Sequence, residues 1–127
     1  MDMKEKRILL LVDDEETIFK TMKMLFSEKT YTILYCKDIN CAYSTLKAQR
    51  VDLMILDLFL PHGSGLRLLE KINKKGIAVK TVMLSASDTA QSATEAMKLG
   101  AIDYFTKPFN TKEFVKKIKS YVAQGEN

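Results

Sequence analysis

The run Ile8-Leu9-Leu10-Leu11-Val12 is followed at once by Asp13-Asp14-Glu15-Glu16. Five consecutive apolar residues suit a strand covered on both faces, the pattern of a parallel sheet between helix layers. Leu53-Met54-Ile55-Leu56, again continuously apolar, and Thr81-Val82-Met83-Leu84 read as the third and fourth strands. After the first run, Ile18, Met22, Leu25 and Phe26 recur at the helical period. Tyr31 to Cys36 is rich in β-formers, and its mixed polarity suits an edge strand. Ala42 and Leu46 mark a second helix, capped by Asp38 or Asn40.

Pro61-His62-Gly63-Ser64-Gly65 reads as a loop. Leu66, Leu69 and Ile72 then line a third helix, with Gly76 beyond its end. Ala90, Ala93 and Met97 are expected to line a fourth helix that stops at Gly100. Ile102 to Phe105 is the fifth strand. Asn110 and Glu113 open the last helix as a capping box, and Phe114, Ile118, Tyr121 and Val122 line it. Strict βα alternation predicts an α/β fold, a doubly wound five-stranded parallel sheet of order 2-1-3-4-5, flavodoxin-like (βα)5.

The chain has 127 residues, 46% hydrophobic and 28% charged, the proportions of one ordinary globular domain. We expect a single domain over 1–127, with a core over 5–123 and a tail or linker start over 124–127. No apolar run approaches the ~20 residues needed to cross a bilayer, and Met1 to Lys6 lacks the apolar stretch of a secretory signal. A cytoplasmic location is expected. Cys36 and Cys41 are therefore expected to stay reduced, and their spacing is no zinc pattern. The net charge is +4, but the lysines are interleaved with acids. The densest basic run, Lys112, Lys116, Lys117 and Lys119, reads as a solvated helix face. No helix-turn-helix or nucleotide-binding loop is visible.

In such sheets ligands sit outside the carboxyl ends of the strands. The residues there are Asp13-Asp14-Glu15-Glu16, Asp57, Ser85-Ala86-Ser87 and Lys107-Pro108-Phe109. One acid, Glu15 or Glu16, is accounted for as a helix N-terminal charge. Asp13, Asp14 and Asp57 are not, because neighbouring strands should bring them together, where like charges repel. A hard divalent cation such as Mg²⁺ removes that conflict. A carboxylate can attack phosphorus and form an aspartyl phosphate, while a metal and a lysine clamp the phosphoryl oxygens. Asp57 is the candidate nucleophile, Lys107 the second cation and Ser85 a hydrogen-bond donor.

Asp13-Asp14-Glu15, Asp57-Leu58-Phe59-Leu60-Pro61-His62-Gly63-Ser64-Gly65-Leu66, and Gly100-Ala101-Ile102-Asp103-Tyr104-Phe105-Thr106-Lys107-Pro108-Phe109, taken in order, resemble the receiver domains of two-component response regulators. The family shares the 2-1-3-4-5 order, so the resemblance implies it as well. It implies a phosphorylation switch, not a turnover enzyme. Asp57 would accept the phosphoryl group. Mg²⁺ would be held by Asp13, Asp14, Asp57 and the backbone carbonyl of Phe59. Ser85 and Tyr104 would be switch residues acting on the face of the fourth helix, fifth strand and fifth helix. The Lys107-Pro108 bond would be cis, X-Pro being where cis costs little. The implied partners are a sensor histidine kinase or phosphotransfer protein, an output domain or partner protein, and a second copy in a phosphorylation-dependent dimer. No direct nucleic-acid contact and no membrane are implied. Ala96 to Tyr104 is similar to receivers of the nitrogen-regulator type, which often precede an ATPase and a DNA-binding domain.

Some readings stay open beside the resemblance. Tyr104 also suits a half-buried core residue with a wet hydroxyl. Phe59 either leaves an attacking water poorly ordered, slowing self-dephosphorylation, or packs against a neighbouring loop. His62 reads as a surface residue. An aspartate-nucleophile phosphatase would need a second Asp at position 59. A flavin carrier would need a phosphate-cradling loop where Asp13 to Glu16 stand. A partner-binding pseudo-receiver would have lost the acceptor or the lysine, and both are present.

Overall fold

The computed structural model describes residues 5–124. The expected tail over 124–127 lies, apart from Gln124, outside the described residues. The major strands are β1 (Arg7–Val12), β2 (Tyr31–Cys36), β3 (Leu53–Leu56), β6 (Thr81–Ser85) and β7 (Asp103–Thr106). They form one parallel sheet of order β2-β1-β3-β6-β7. This is the expected 2-1-3-4-5 order. Two short strands, β4 (Phe59–Leu60) and β5 (Gly63–Ser64), form a separate antiparallel hairpin. A loop was expected there, because two-residue strands carry no periodic signal. His62 sits exposed at the hairpin tip with φ of 65°.

The helices are α1 (Glu16–Leu25), α2 (Ile39–Ala48), α3 (Gly65–Lys74), α4 (Ala90–Lys98) and α5 (Thr111–Ala123). Alternation along the strands sorts the core into two layers. Leu10, Val12, Met54, Leu56 and Met83 pack with Ala42, Leu46, Leu68, Leu69, Ile72 and Ala96 from α2, α3 and α4. Leu9, Leu11, Ile55, Val82 and Leu84 pack on the other face with Met22, Phe114, Ile118 and Val122 from α1 and α5. Leu9 to Val12 are essentially inaccessible, and each such side chain contributes about 1.5–3 kcal/mol by leaving water.

Four helices begin at a side-chain cap: Asp38, Ser64, Thr89 and Asn110 each accept a hydrogen bond from a first-turn backbone N–H. Asp38, not Asn40, caps α2. α3 and α4 end just before Gly76 and Gly100, whose φ values of 69° and 105° suit glycine alone without strain.

Two expectations are corrected. On α4 the core residue is Ala96, while Ala90 and Met97 are exposed. A nine-residue helix with few large apolar side chains leaves its inward face underdetermined by period alone. Second, Cys36 and Cys41 are joined by a disulfide, where free thiols were expected. The turn from β2 into α2 brings their Cα atoms to 5.5 Å, inside the range a disulfide spans. The expectation rested on compartment and could not see this proximity.

Candidate functional site at the carboxyl edge of the sheet

Backbone hydrogen bonds continue the sheet ladder one residue past the strand ends. The Asp13 N–H donates to the Cys36 carbonyl at 3.0 Å and the Asp57 N–H to the Val12 carbonyl at 2.9 Å. The Lys107 N–H donates to the Ser85 carbonyl at 2.7 Å. The register, with Val12 opposite Leu56 and Ser85 opposite Thr106, lines Asp13, Asp57, Ser85 and Lys107 along one edge.

Three carboxylates converge on one ammonium. Lys107 Nζ lies 2.7 Å from Asp13 Oδ2, 2.6 Å from Glu15 Oε2 and 3.2 Å from Asp57 Oδ2. Asp13 is 0% exposed and Asp57 5%. The second oxygens are satisfied locally: Asp13 Oδ1 accepts from the Glu15 N–H at 2.9 Å, and Asp57 Oδ1 from the Phe59 N–H at 3.1 Å. The Lys107-Pro108 bond is cis.

Burial favours the neutral carboxyl and pushes the Asp13 pKa up, against the pull of its hydrogen bonds from Lys107 and Glu15. For Lys107, burial opposes the charge, but hydrogen bonds to Asp13 and Glu15 and the field of Asp13 and Asp57 outweigh it. Its pKa is raised, so the ammonium is held charged.

Glu15 was missed as a site residue and read as one of two candidates for a simple helix-end charge. It occupies the N-cap position of α1 but makes no side-chain cap; its carboxylate turns to Lys107 instead. Glu16 pairs with Lys37 at 2.9 Å. Only the spatial position of Lys107, 92 residues away in sequence, separates the two roles.

Ser85 is fully buried, and its hydroxyl accepts from the Ser87 N–H at 3.3 Å. Half-buried Tyr104 donates its hydroxyl to the Ser87 carbonyl at 2.8 Å. Phe59 is 58% exposed on β4, so it does not pack away against a loop. Asp13, Asp14 and Asp57 each offer one oxygen, and these lie within 4.8 Å of one another. Hard oxygen donors at that spacing, with Asp14 open to solvent, fit a magnesium-like ion that keeps several waters. Lys112, Lys116, Lys117 and Lys119 lie exposed on α5, with Lys117 3.5 Å from Glu113. No helix among the described residues is long and apolar enough to cross a membrane.

A family model described as Response regulator receiver domain matches residues 9–119. The regulatory protein VanR of Enterococcus faecium is 32% identical over 116 residues, 91% of this chain and 50% of that protein. The alkaline phosphatase synthesis transcriptional regulatory protein SphR of Synechococcus elongatus is 29% identical over 128 residues, 94% of this chain and 50% of that protein. The chain thus spans about half the length of the curated relatives it matches. Among solved structures, the non-phosphorylated HemR receiver domain from Leptospira biflexa superposes with a TM-score of 0.86 at 32% identity, covering 96% of this chain and 98% of that one. Domains of this kind act in phosphorylation-dependent signalling, and the family binds Mg²⁺ at an acidic pocket. With the fold, the acidic edge and the family match in agreement, this chain belongs to the response regulator receiver domains of two-component systems.

Proposed function

We propose that Asp57 is the phosphoryl acceptor of this switch, and that a sensor histidine kinase or phosphotransfer protein is its donor. One observation carries the reading: Lys107 holds its ammonium against Asp57 Oδ2 and Asp13 Oδ2 together. A buried carboxylate oxygen with a cation beside it is placed for attack on phosphorus and for neutralising the charge that arrives. An Asp57 oxygen forms the new O–P bond as the P–N bond to the donor histidine breaks, and the imidazole, already protonated on its other ring nitrogen, leaves neutral with the electron pair of that bond.

Asp13, Asp14, Asp57 and the Phe59 carbonyl would hold Mg²⁺. When bound, it supplies positive charge against the phosphoryl oxygens. Lys107 supplies a second, fixed positive charge from the carboxyl end of β7, on the same edge of the sheet. Ser85 is the proposed donor to a phosphoryl oxygen: the contact it accepts from the Ser87 N–H leaves its hydroxyl proton free, and the hydroxyl moves toward the phosphate with that contact attached. Such a move shifts the segment after β6, and Tyr104 is tethered to that segment through the Ser87 carbonyl. The dianion thereby biases two pre-existing arrangements of the α4–β7–α5 face. Exposed Met97 and Ile102 offer that region apolar contact points for an output domain, a partner protein or a second copy. The curated relatives named as transcriptional regulators make gene regulation the process proposed. Self-dephosphorylation by water resets the switch, in a chain that works in the cytoplasm.

The test is incubation with Mg²⁺ and acetyl phosphate, read by intact mass beside an Asp57→Asn variant. A metal-dependent phosphoryl adduct on the wild type alone is the expected result. Its absence from folded protein that binds Mg²⁺ would leave a partner-binding pseudo-receiver, the second reading.

A further inference from the structure

The disulfide lies at the edge of the site and has no part in phosphoryl transfer. Cys36 ends β2 and is buried, 3% exposed. Cys41 lies in the first turn of α2 and is exposed. Thr45 Oγ1 sits 3.5 Å from Cys36 Sγ. The two cysteines are five positions apart in sequence. Closing so short a loop constrains the unfolded chain little, so the bond adds less to stability than a long-range crosslink would. Cys36 packs with Ala42 and Leu46 in the same buried cluster. What the bond does have is a route to the acidic pocket: the Cys36 carbonyl accepts the hydrogen bond of the Asp13 N–H.

We propose that Cys36 and Cys41 are a reversible, hydroperoxide-oxidised dithiol, a modification site whose state is transmitted to Asp13 through the Cys36 carbonyl. Cys41 is the entry sulfur, since of the two it is the one open to solvent. The Cys41 sulfur attacks one oxygen of hydrogen peroxide; the O–O bond breaks, water leaves and a sulfenic acid remains. The Cys36 sulfur then attacks the Cys41 sulfur, the S–S bond forms and a second water leaves. Two thiols and one peroxide thus give one disulfide and two waters. A dithiol reductant reverses the change by thiolate attack on the exposed Cys41 sulfur, through a mixed disulfide. Opened, the β2–α2 junction loses its covalent tie, and the bond holding the Asp13 amide breaks more often. Asp13 is one of the carboxylates proposed to hold Mg²⁺, so the pair stands one hydrogen bond from the signalling site.

The experiment counts thiols in the folded chain after dithiothreitol and then after stoichiometric hydrogen peroxide, by quenching, denaturing and alkylating. Two labels after reduction and none after peroxide are expected. In Cys41→Ser, Cys36 should keep its label through peroxide. Hydrogen exchange at the Asp13 amide should be several-fold faster in the reduced wild type than in the oxidised one, and equally fast with or without peroxide in Cys36→Ser/Cys41→Ser. A bond that resists dithiothreitol in the folded chain, thiols that survive peroxide, or a Cys41→Ser chain that still loses its Cys36 label would overturn the proposed dithiol. Equal Asp13 exchange in the two forms would overturn the transmission. Neither readout uses phosphorylation, so failure of the phosphoryl-acceptor reading would be seen separately.

Discussion

Gly65 abuts the backbone of Asp57 so closely that a Cβ on it would lie 2.2 Å from the Asp57 carbonyl oxygen. The Gly65 N–H also donates to the Leu58 carbonyl at 2.7 Å, drawing the start of α3 onto the acceptor segment. Space, not dihedral freedom, requires glycine here, and the opposing atom is backbone that no rotamer change can move. Gly65→Ala should destabilise the fold by about 3 kcal/mol, the upper range for overpacking. Urea unfolding checks the magnitude, and the phosphoryl adduct should fall with it because Asp57 is displaced. An unchanged midpoint would mean that the α3 start and the Asp57 segment are not locked together.

Asp14 is the exposed member of the acidic trio and pairs with no cation among the described residues. Asp14→Asn should therefore leave stability without metal within about 0.5 kcal/mol of wild type, as for other surface changes. The two should part when Mg²⁺ is added. A ligand held by the folded state at a hundred times its Kd adds about 2.7 kcal/mol. Wild type should show a rise in thermal midpoint that saturates with Mg²⁺, and the variant little or none. Equal rises in both would remove Asp14 from the metal site.

Phe59 presents a largely exposed ring two residues past the acceptor, with its N–H on Asp57 Oδ1. An apolar side chain there gives an attacking water no hydrogen-bond partner. Phe59→Asn should speed loss of the phosphoryl group on the order of tenfold, below the range of a fully oriented general base. The decay of the phosphoryl adduct, followed by intact mass after removing donor, measures it. An unchanged lifetime would make the ring a bystander.

Tyr121 donates its hydroxyl to Asp103 across the β7–α5 contact. That bond, with burial behind it, pushes the phenol from 10.0 up to about 12. The folded chain then holds this proton more tightly than the unfolded chain does. Its contribution is full below pH 10 and is lost as the pH climbs toward 12. The stability difference between wild type and Tyr121→Phe should be flat to pH 10 and shrink above it. A difference that stays constant through that window would show that the bond does not depend on the phenol proton.

The sequence by itself determined the layering and the reactive edge. Leu9 to Val12 and Leu53 to Leu56 are continuously apolar because both faces of their strands are covered, and that pattern is local. The carboxylates Asp13 and Asp57 follow those runs directly, so placing the strands placed them too. Tertiary structure alone decided which groups touch. Glu15 and Glu16 are indistinguishable in sequence, yet one meets Lys107 and the other Lys37. On α4 the core side falls to Ala96 and leaves the larger Met97 exposed. Cys36 and Cys41 are neighbours only because the chain turns from strand to helix between them. Periodicity reports which face of an element is covered; a pairing between side chains depends on how rigid elements meet in space, and no local pattern encodes that distance.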